Sequence, residues 1–187
     1  MPSAFAHALA AGAIGAAFYR PRLPLRFWVL GVACAVLPDA DVVGTAAGIS
    51  VWHVLGHRGL SHSLVFAAAL AAVIVAVFFP RAPAGTSRSR LWIYFFLATA
   101  SHGVLDAFTN GGPGVAFFAP VDEGRYFFPV RPMQVSPLGI RPFFSEWGRR
   151  VIASEAVWIG VPALALVLAC GWWRRATRAG AGGRPRR

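Results

Sequence analysis

The chain has 187 residues, enough for one domain, of which 57% are hydrophobic and only 13% charged, with a formal net charge of +11. That balance excludes an ordinary soluble domain and makes a bilayer the expected solvent. The positive charge does not point to nucleic acid, because the arginines fall in short groups between apolar runs with no basic helix or nucleic-acid module among them.

Taken in order, Ala4 to Phe18 is an apolar run rich in Ala and Gly, without the basic start of a secretory signal. Small residues let helix backbones approach closely in a membrane, so a packed inner helix is expected, with His7 as its one polar side chain of consequence. A connection from Tyr19 to Arg26 follows. The run Phe27 to Leu37 is short for a span, since about 20 residues are needed to cross the hydrocarbon core. The second helix is therefore expected to start near Leu23, and Pro38 to end it.

Beyond that point the sequence reads PDADVVG. An extended backbone there would aim Asp39 and Asp41 the same way, and a like-charged pair held ionised calls for a nearby cation. A loop with a short helix is expected from Thr45 to Gly59, carrying His53, His57 and Arg58. The stretch HRGLSHS then places His57 and His62 at the mouth of the third apolar run, Leu64 to Phe79, where a turn at Gly59 lets both approach one point. Arg58 between them is a ready donor to an anionic group. His53 is expected to be a loop or packing residue.

After a Pro- and Arg-rich linker, Pro80 to Arg90, the fourth helix runs from Leu91 to Phe108 and ends in SHGVLDAFTNGG. His102 and Asp106 are four residues apart and share one helical face, where both can grip one ion. Thr109 to Arg150 holds six prolines and predicts an ordered extra-membrane cap of short strands or turns. Val151 to Trp173 is long enough to span and carries Trp172 and Trp173 at one end, where aromatic rings prefer the interface. Arg174 to Arg187 reads as a disordered, Arg-rich cytoplasmic tail. Cys34 and Cys170 each lie in an apolar run and predict neither a disulfide nor a thiolate site.

These elements predict an all-α membrane protein. The expectation is a bundle of about five transmembrane helices, residues 1–173, with a Pro-rich extracytoplasmic cap at about 109–150. Twelve arginines fall on one side of such a bundle and six on the other, which by the positive-inside rule puts the amino terminus outside and the carboxyl terminus in the cytoplasm. That orientation brings His7, Asp39, Asp41, His57, His62, His102 and Asp106 to the outer surface together. Imidazoles and carboxylates without thiolates suit a divalent metal, zinc first and manganese or iron next. Asp106 is the candidate shared ligand, and Arg58 and Asp41 are the candidate catalytic residues, Arg58 by holding an anionic substrate.

The HRGLSHS and SHGVLDAFTNGG stretches, with His7, PDAD and RYFFPVRPMQVSP, resemble the YdjM-type family of LexA-binding, inner-membrane-associated metal-dependent hydrolases. The resemblance covers nearly the whole chain. It implies a multi-pass protein of a bacterial inner membrane, with membrane lipids as surroundings and a small anionic or lipid substrate. The HxxxD spacing of His102 and Asp106 is also similar to a ligand pair of the zinc phospholipase C and P1 nuclease group, although no later HxxxE pair is present. The function expected is hydrolysis of a phosphoester or lipid-related substrate. The alternative is a non-enzymatic membrane protein, a transporter or a stress-linked regulator, that uses the same His/Asp cluster structurally.

Overall fold

The structure is a computed structural model that describes residues 1–18, 23–137 and 140–182. The first part of the expected Tyr19–Arg26 connection, residues 19–22, and the end of the expected tail, residues 183–187, lie outside the described residues. Among the described residues the chain is all-helical, with no strands. Helix α1 (Ala4–Phe18) and α2 (Leu25–Val36) are followed by a 3-10 turn (Leu37–Asp41) and the short α3 (Val42–Ala46). A second 3-10 turn (Leu60–His62) leads into α4 (Leu64–Phe78), and α5 (Arg88–Ala107) comes next. The last elements are α6 (Ile140–Phe143), α7 (Glu146–Glu155), a π segment (Ala156–Gly160) and α8 (Val161–Gly182).

Local chemistry sets these boundaries. Ser63, Ser87 and Ser145 each accept a hydrogen bond from a backbone N–H of the helix that follows, satisfying a donor that no helical carbonyl can reach. Pro24 precedes α2 in an extended conformation. Pro162 lacks the N–H for a regular ladder, and the helix widens into its π segment just before it.

Helix α5 is the axis of the bundle, packing against α1, α2 and α4, while α8 lies along α1. At the heart of the bundle the Phe27 ring stacks on Tyr94 at 4.2 Å between centroids, with Phe95, Phe79 and Leu91 buried around them. A Cβ on Gly31 would lie 1.9 Å from Tyr94 Oη, and one on Gly15 2.8 Å from Trp28, so the small residues of the first two helices are where aromatic rings enter. Outward faces are apolar as well: Val65, Val73 and Val77 on α4, and Val157, Val161, Leu164 and Leu168 on the last rod, are exposed. Two rods, Leu25–Ala46 and Glu146–Thr177, are long and apolar enough to cross a membrane; α1 and α4 are apolar but shorter.

Two expectations change and one narrows. Pro38 does not stop the chain's helical course but tightens it to a 3-10 turn, so Asp39 and Asp41 diverge, because two residues at about three per turn do not share a face. Of the strands or turns expected after α5, the described residues form turns with two isolated bridges, Thr109 with Met133 and Val115 with Tyr126, and no strands, since the prolines remove ladder donors. Helix α8 runs on through Gly182 past the boundary expected at Trp173. Ala and Arg are good helix formers, and Arg174 Nη2 donates to the carbonyls of Ala16 and Ala17, tying α8 to the end of α1.

Candidate metal centre

Every ligand-type residue singled out in the sequence except His53 meets at one end of the bundle. The start of α1 supplies His7, the turn after α2 supplies Asp39 and Asp41, the turn before α4 supplies His57, Arg58 and His62, and the end of α5 supplies His102 and Asp106. The start of α1 is fixed by an unexpected partner: Glu155, buried in the last rod, accepts from Ser3 N at 2.5 Å and from Ser3 Oγ at 2.7 Å. A carboxylate at a helix start also meets the positive end of the helix dipole. His53 is exposed, and its Nδ1 accepts from Leu55 N at 3.1 Å.

The hydrogen-bond partners assign the protons. His102 Nδ1 lies 2.7 Å from the carbonyl oxygen of Ala35, which only accepts, so Nδ1 carries the hydrogen. The other nitrogen, Nε2, faces Asp39 Oδ1 at 3.2 Å. His62 repeats the pattern. Its Nδ1 lies 3.1 Å from Asp41 Oδ2, and its Nε2 faces Asp106 Oδ2 at 3.4 Å and Asp39 Oδ1 at 3.8 Å. His7 stacks on His102 with centroids 3.7 Å apart, and its Nε2 is 3.8 Å from Asp106 Oδ1.

Both nitrogens of His7, Nε2 of His62 and both oxygens of Asp106 are shut off from solvent with no hydrogen-bond partner in the protein. Leaving one such group unsatisfied costs about 1–3 kcal/mol, and native structures keep few of them. Asp39, His62, His102 and Asp106 each offer an atom within 4.8 Å of the others. Ligands about 2.1 Å from a tetrahedral ion are about 3.4 Å from each other. The separations of 3.2, 3.4 and 3.8 Å in this cluster straddle that edge length. The residues therefore fit a divalent cation.

Charge supports the same fit. Asp39, Asp41 and Asp106 face one buried cation, Arg58, whose Nε is 2.9 Å from Asp106 Oδ2. One divalent ion would neutralise what remains. His62 lies in the turn outside the helices, and although burial opposes its protonation, the carboxylates of Asp106, Asp39 and Asp41 push its pKa up to about 10. A proton is drawn to the spot that a metal would take.

Asp41 sits one layer out. Its Oδ1 accepts from His57 Nδ1 at 2.7 Å, and its Oδ2 from Ser61 Oγ at 2.6 Å and Arg58 N at 3.1 Å, beside His62 Nδ1. The carboxylate thus orients two imidazoles at once. Arg58 is 1% exposed, and besides its ion pair with Asp106 it donates from Nη1 to the Gly111 carbonyl and from Nη2 to Thr109 Oγ1. Its guanidinium is turned into the protein, not held out to solvent as the sequence suggests. Its backbone has φ 64°, a left-handed value unusual for a residue with a side chain, so Arg58 and not Gly59 turns the chain. Gly59 is needed for a different reason: a Cβ there would lie 2.1 Å from the Val54 carbonyl oxygen.

A cavity of about 360 Å³ reaches His57 and Arg58, walled by Met1, Val135, Pro137, Pro142 and Trp147. The Ala35 carbonyl, Ser61, Thr109 and Glu155 escape sequence reasoning. A backbone acceptor has no residue signature, and single hydroxyls in loops are too common to single out.

The chain belongs to the family described as YdjM inner membrane protein, whose family model matches residues 1–178. It is similar to the inner membrane protein YbcI of Escherichia coli (strain K12), at 34% identity over 175 residues that cover 94% of this chain and 99% of the relative. No solved structure matches the chain.

Proposed function

We propose that this member of an inner membrane protein family is a metal-dependent hydrolase acting on a phosphoester of lipid character. The observation that carries the reading is the convergence of imidazole and carboxylate atoms of Asp39, His62, His102 and Asp106 within 4.8 Å of one another, with both nitrogens of buried His7 unpartnered beside them. Asp39, His62, His102 and Asp106 offer the ligand atoms that would hold the ion, with His7 beside them, zinc first and manganese or iron next, and the charge balance favours one ion over two. A bound divalent ion supplies Lewis acidity towards a phosphoryl oxygen and lowers the pKa of water at the site.

The chain's own residues do the rest. Asp41 takes the Nδ1 hydrogen of His57, which leaves Nε2 of that ring, on the wall of the cavity, to accept and return a proton. Arg58 holds Asp106 in place behind the cavity. The apolar walls suit a lipid tail. The five helical rods reach the site alternately by their starts and ends, which supports five spans, with the segment between α5 and α7 as an outer cap. The distribution of arginines supports an outer amino terminus and a cytoplasmic carboxyl terminus.

Elemental analysis of the purified full-length protein tests the reading. About one equivalent of metal per chain is expected, lost in Asp106→Ala. His57→Ala is expected to keep the metal and lose hydrolysis of lipid phosphoesters. Folded wild-type protein that stays metal-free with zinc, manganese and iron supplied sinks the proposal, and metal without hydrolysis returns the cluster to a structural role.

A further inference from the structure

The outward face of the rod Leu25–Ala46 gives a measure of how deep the metal centre sits. Leu25, Val29, Val32, Leu37 and Val43 are exposed, with Ala33 and Ala40 between them, and together they form one apolar stripe along the rod. At 1.5 Å per α-helical residue and 2.0 Å per 3-10 residue, the stripe from Leu25 to Val43 is about 30 Å long, the thickness of a hydrocarbon core. Asp39 lies before the stripe ends, about 7 Å short of Val43. Helix α5 agrees. Asp106 follows the exposed Arg90 by sixteen residues, about 24 Å, and any tilt shortens that height further. A guanidinium near a helix end keeps its charge among the headgroups, so Arg90 marks the opposite boundary.

Beyond Val43 the chain stays apolar. From Val42 to Gly56 there is no Asp, Glu, Lys or Arg, yet Ile49, Trp52 and Leu55 are exposed, Trp52 at 68%. A connection facing water is ordinarily built from polar turn residues. The segment is nevertheless well formed. Ile49 N donates to the Gly44 carbonyl at 2.9 Å, folding the segment back on α3. The carbonyls of Ser50, His53, Val54 and Gly56 accept from backbone N–H groups. Arg125, reaching from the cap, donates from Nη2 to the Val51 carbonyl at 2.8 Å and from Nη1 to the His57 carbonyl at 3.0 Å. Irregular backbone enters apolar surroundings only when its polar groups are paired in this way.

We propose that the segment Val43–Leu55 is seated in the lipid interface at this end of the bundle, and that the metal centre lies below the headgroups, within the depth of the bilayer. The apolar stripe of the rod runs into Val43 and on to Ile49, Trp52 and Leu55, so one lipid surface covers both. A partner protein would cover the segment alone. Trp is also the side chain that prefers such an interface. For a hydrolase this depth admits substrates that reside in the membrane and reach the cavity sideways, a consequence that rests on the proposed function. The seating of the segment does not.

The test places a nitroxide at Trp52→Cys in full-length protein carrying Cys34→Ala and Cys170→Ala, reconstituted into vesicles of phosphatidylglycerol and phosphatidylcholine. Electron paramagnetic resonance reads collisions with oxygen, which enters lipid, and with a water-soluble nickel chelate. Val73→Cys, on the exposed face of α4, is the lipid reference, and Glu123→Cys, exposed in the cap, is the water reference. The label at position 52 is expected to favour oxygen as at position 73, with nickel collisions several-fold fewer than at position 123. Ile49→Cys, labelled in the same way, is expected to agree. Nickel access at both positions equal to that at position 123 overturns the proposal. Low access to both reagents, which means that a second copy or another protein covers the segment, overturns it too. Neither readout involves bound metal or turnover, so a failed hydrolysis assay leaves the seating intact and a water-exposed segment leaves the hydrolase reading intact.

Discussion

Replacing Arg58 by Met separates the metal centre from a simple buried ion pair. Arg58 Nε is 2.9 Å from Asp106 Oδ2, with the two side chains 1% and 0% exposed. Removing one partner of such a pair leaves the other charge buried and costs about 3–5 kcal/mol. Met keeps an unbranched, flexible apolar stem and adds no further backbone strain at φ 64°. If Asp106 ligates an ion, the carboxylate is still compensated in Arg58→Met as long as the ion is bound. The penalty should then be large in chelator-treated protein, on the order of a 10 °C fall in melting temperature, and at most half of that in metal-loaded protein. Linkage requires the counterpart: the variant binds the metal more tightly than wild type, because a competing positive charge has gone. Melting curves with and without chelator, together with metal competition titrations, read both quantities. Equal penalties in the two states, or weaker metal binding by the folded variant, would refute the assignment of Asp106 as a ligand.

Gly112→Ala puts a Cβ 2.6 Å from Arg58 Nη1 at φ +90°, and a loss of about 1–3 kcal/mol is expected in denaturation, accompanied by a lower metal content. Gly31→Ala, which forces Tyr94 out of its place, should cost a similar amount, about 1–3 kcal/mol, yet leave the metal stoichiometry intact, because the aromatic core and the metal centre are separate clusters. Glu155→Gln weakens the hold on Ser3 by about 1–3 kcal/mol and, by loosening the start of α1, should lower metal affinity through His7. The raised pKa of His62 gives stability to metal-free protein that is fully present below about pH 6.5 and lost as the pH rises through about 10. Chelated protein should therefore melt at progressively lower temperature over that window. Zinc binding near neutral pH should also release a proton, measured by calorimetry in buffers of different ionisation enthalpy; binding without proton release speaks against His62 as a ligand.

The helices were readable because apolar run length and the Ser and Pro punctuation are local signals. Membership of the YdjM inner membrane protein family agrees with the resemblance carried by HRGLSHS and SHGVLDAFTNGG. The sequence also pointed to the residues that meet around Asp106, since their positions at alternating helix ends follow from chain order alone. Their division of labour was not readable. Asp39 and Asp41 look equivalent in PDAD, and only the 3-10 turn sends one towards His102 and the other beneath His57 and Ser61. Arg58 looked like an exposed anion clamp, whereas its left-handed backbone turns the guanidinium inward onto Asp106, Thr109 and Gly111. A conformation favoured by glycine but held by arginine leaves no trace in residue type.

The separation of charge along the bundle also makes the molecule an electrical object. Its carboxylates belong to one end, and twelve of its eighteen arginines belong to the connections and tail of the other. Each charge carried across a membrane is worth about 2.3 kcal/mol per 100 mV of potential. In the proposed orientation, a potential negative on the arginine side would hold the protein like an oriented dipole and oppose inversion by an energy that grows with every arginine.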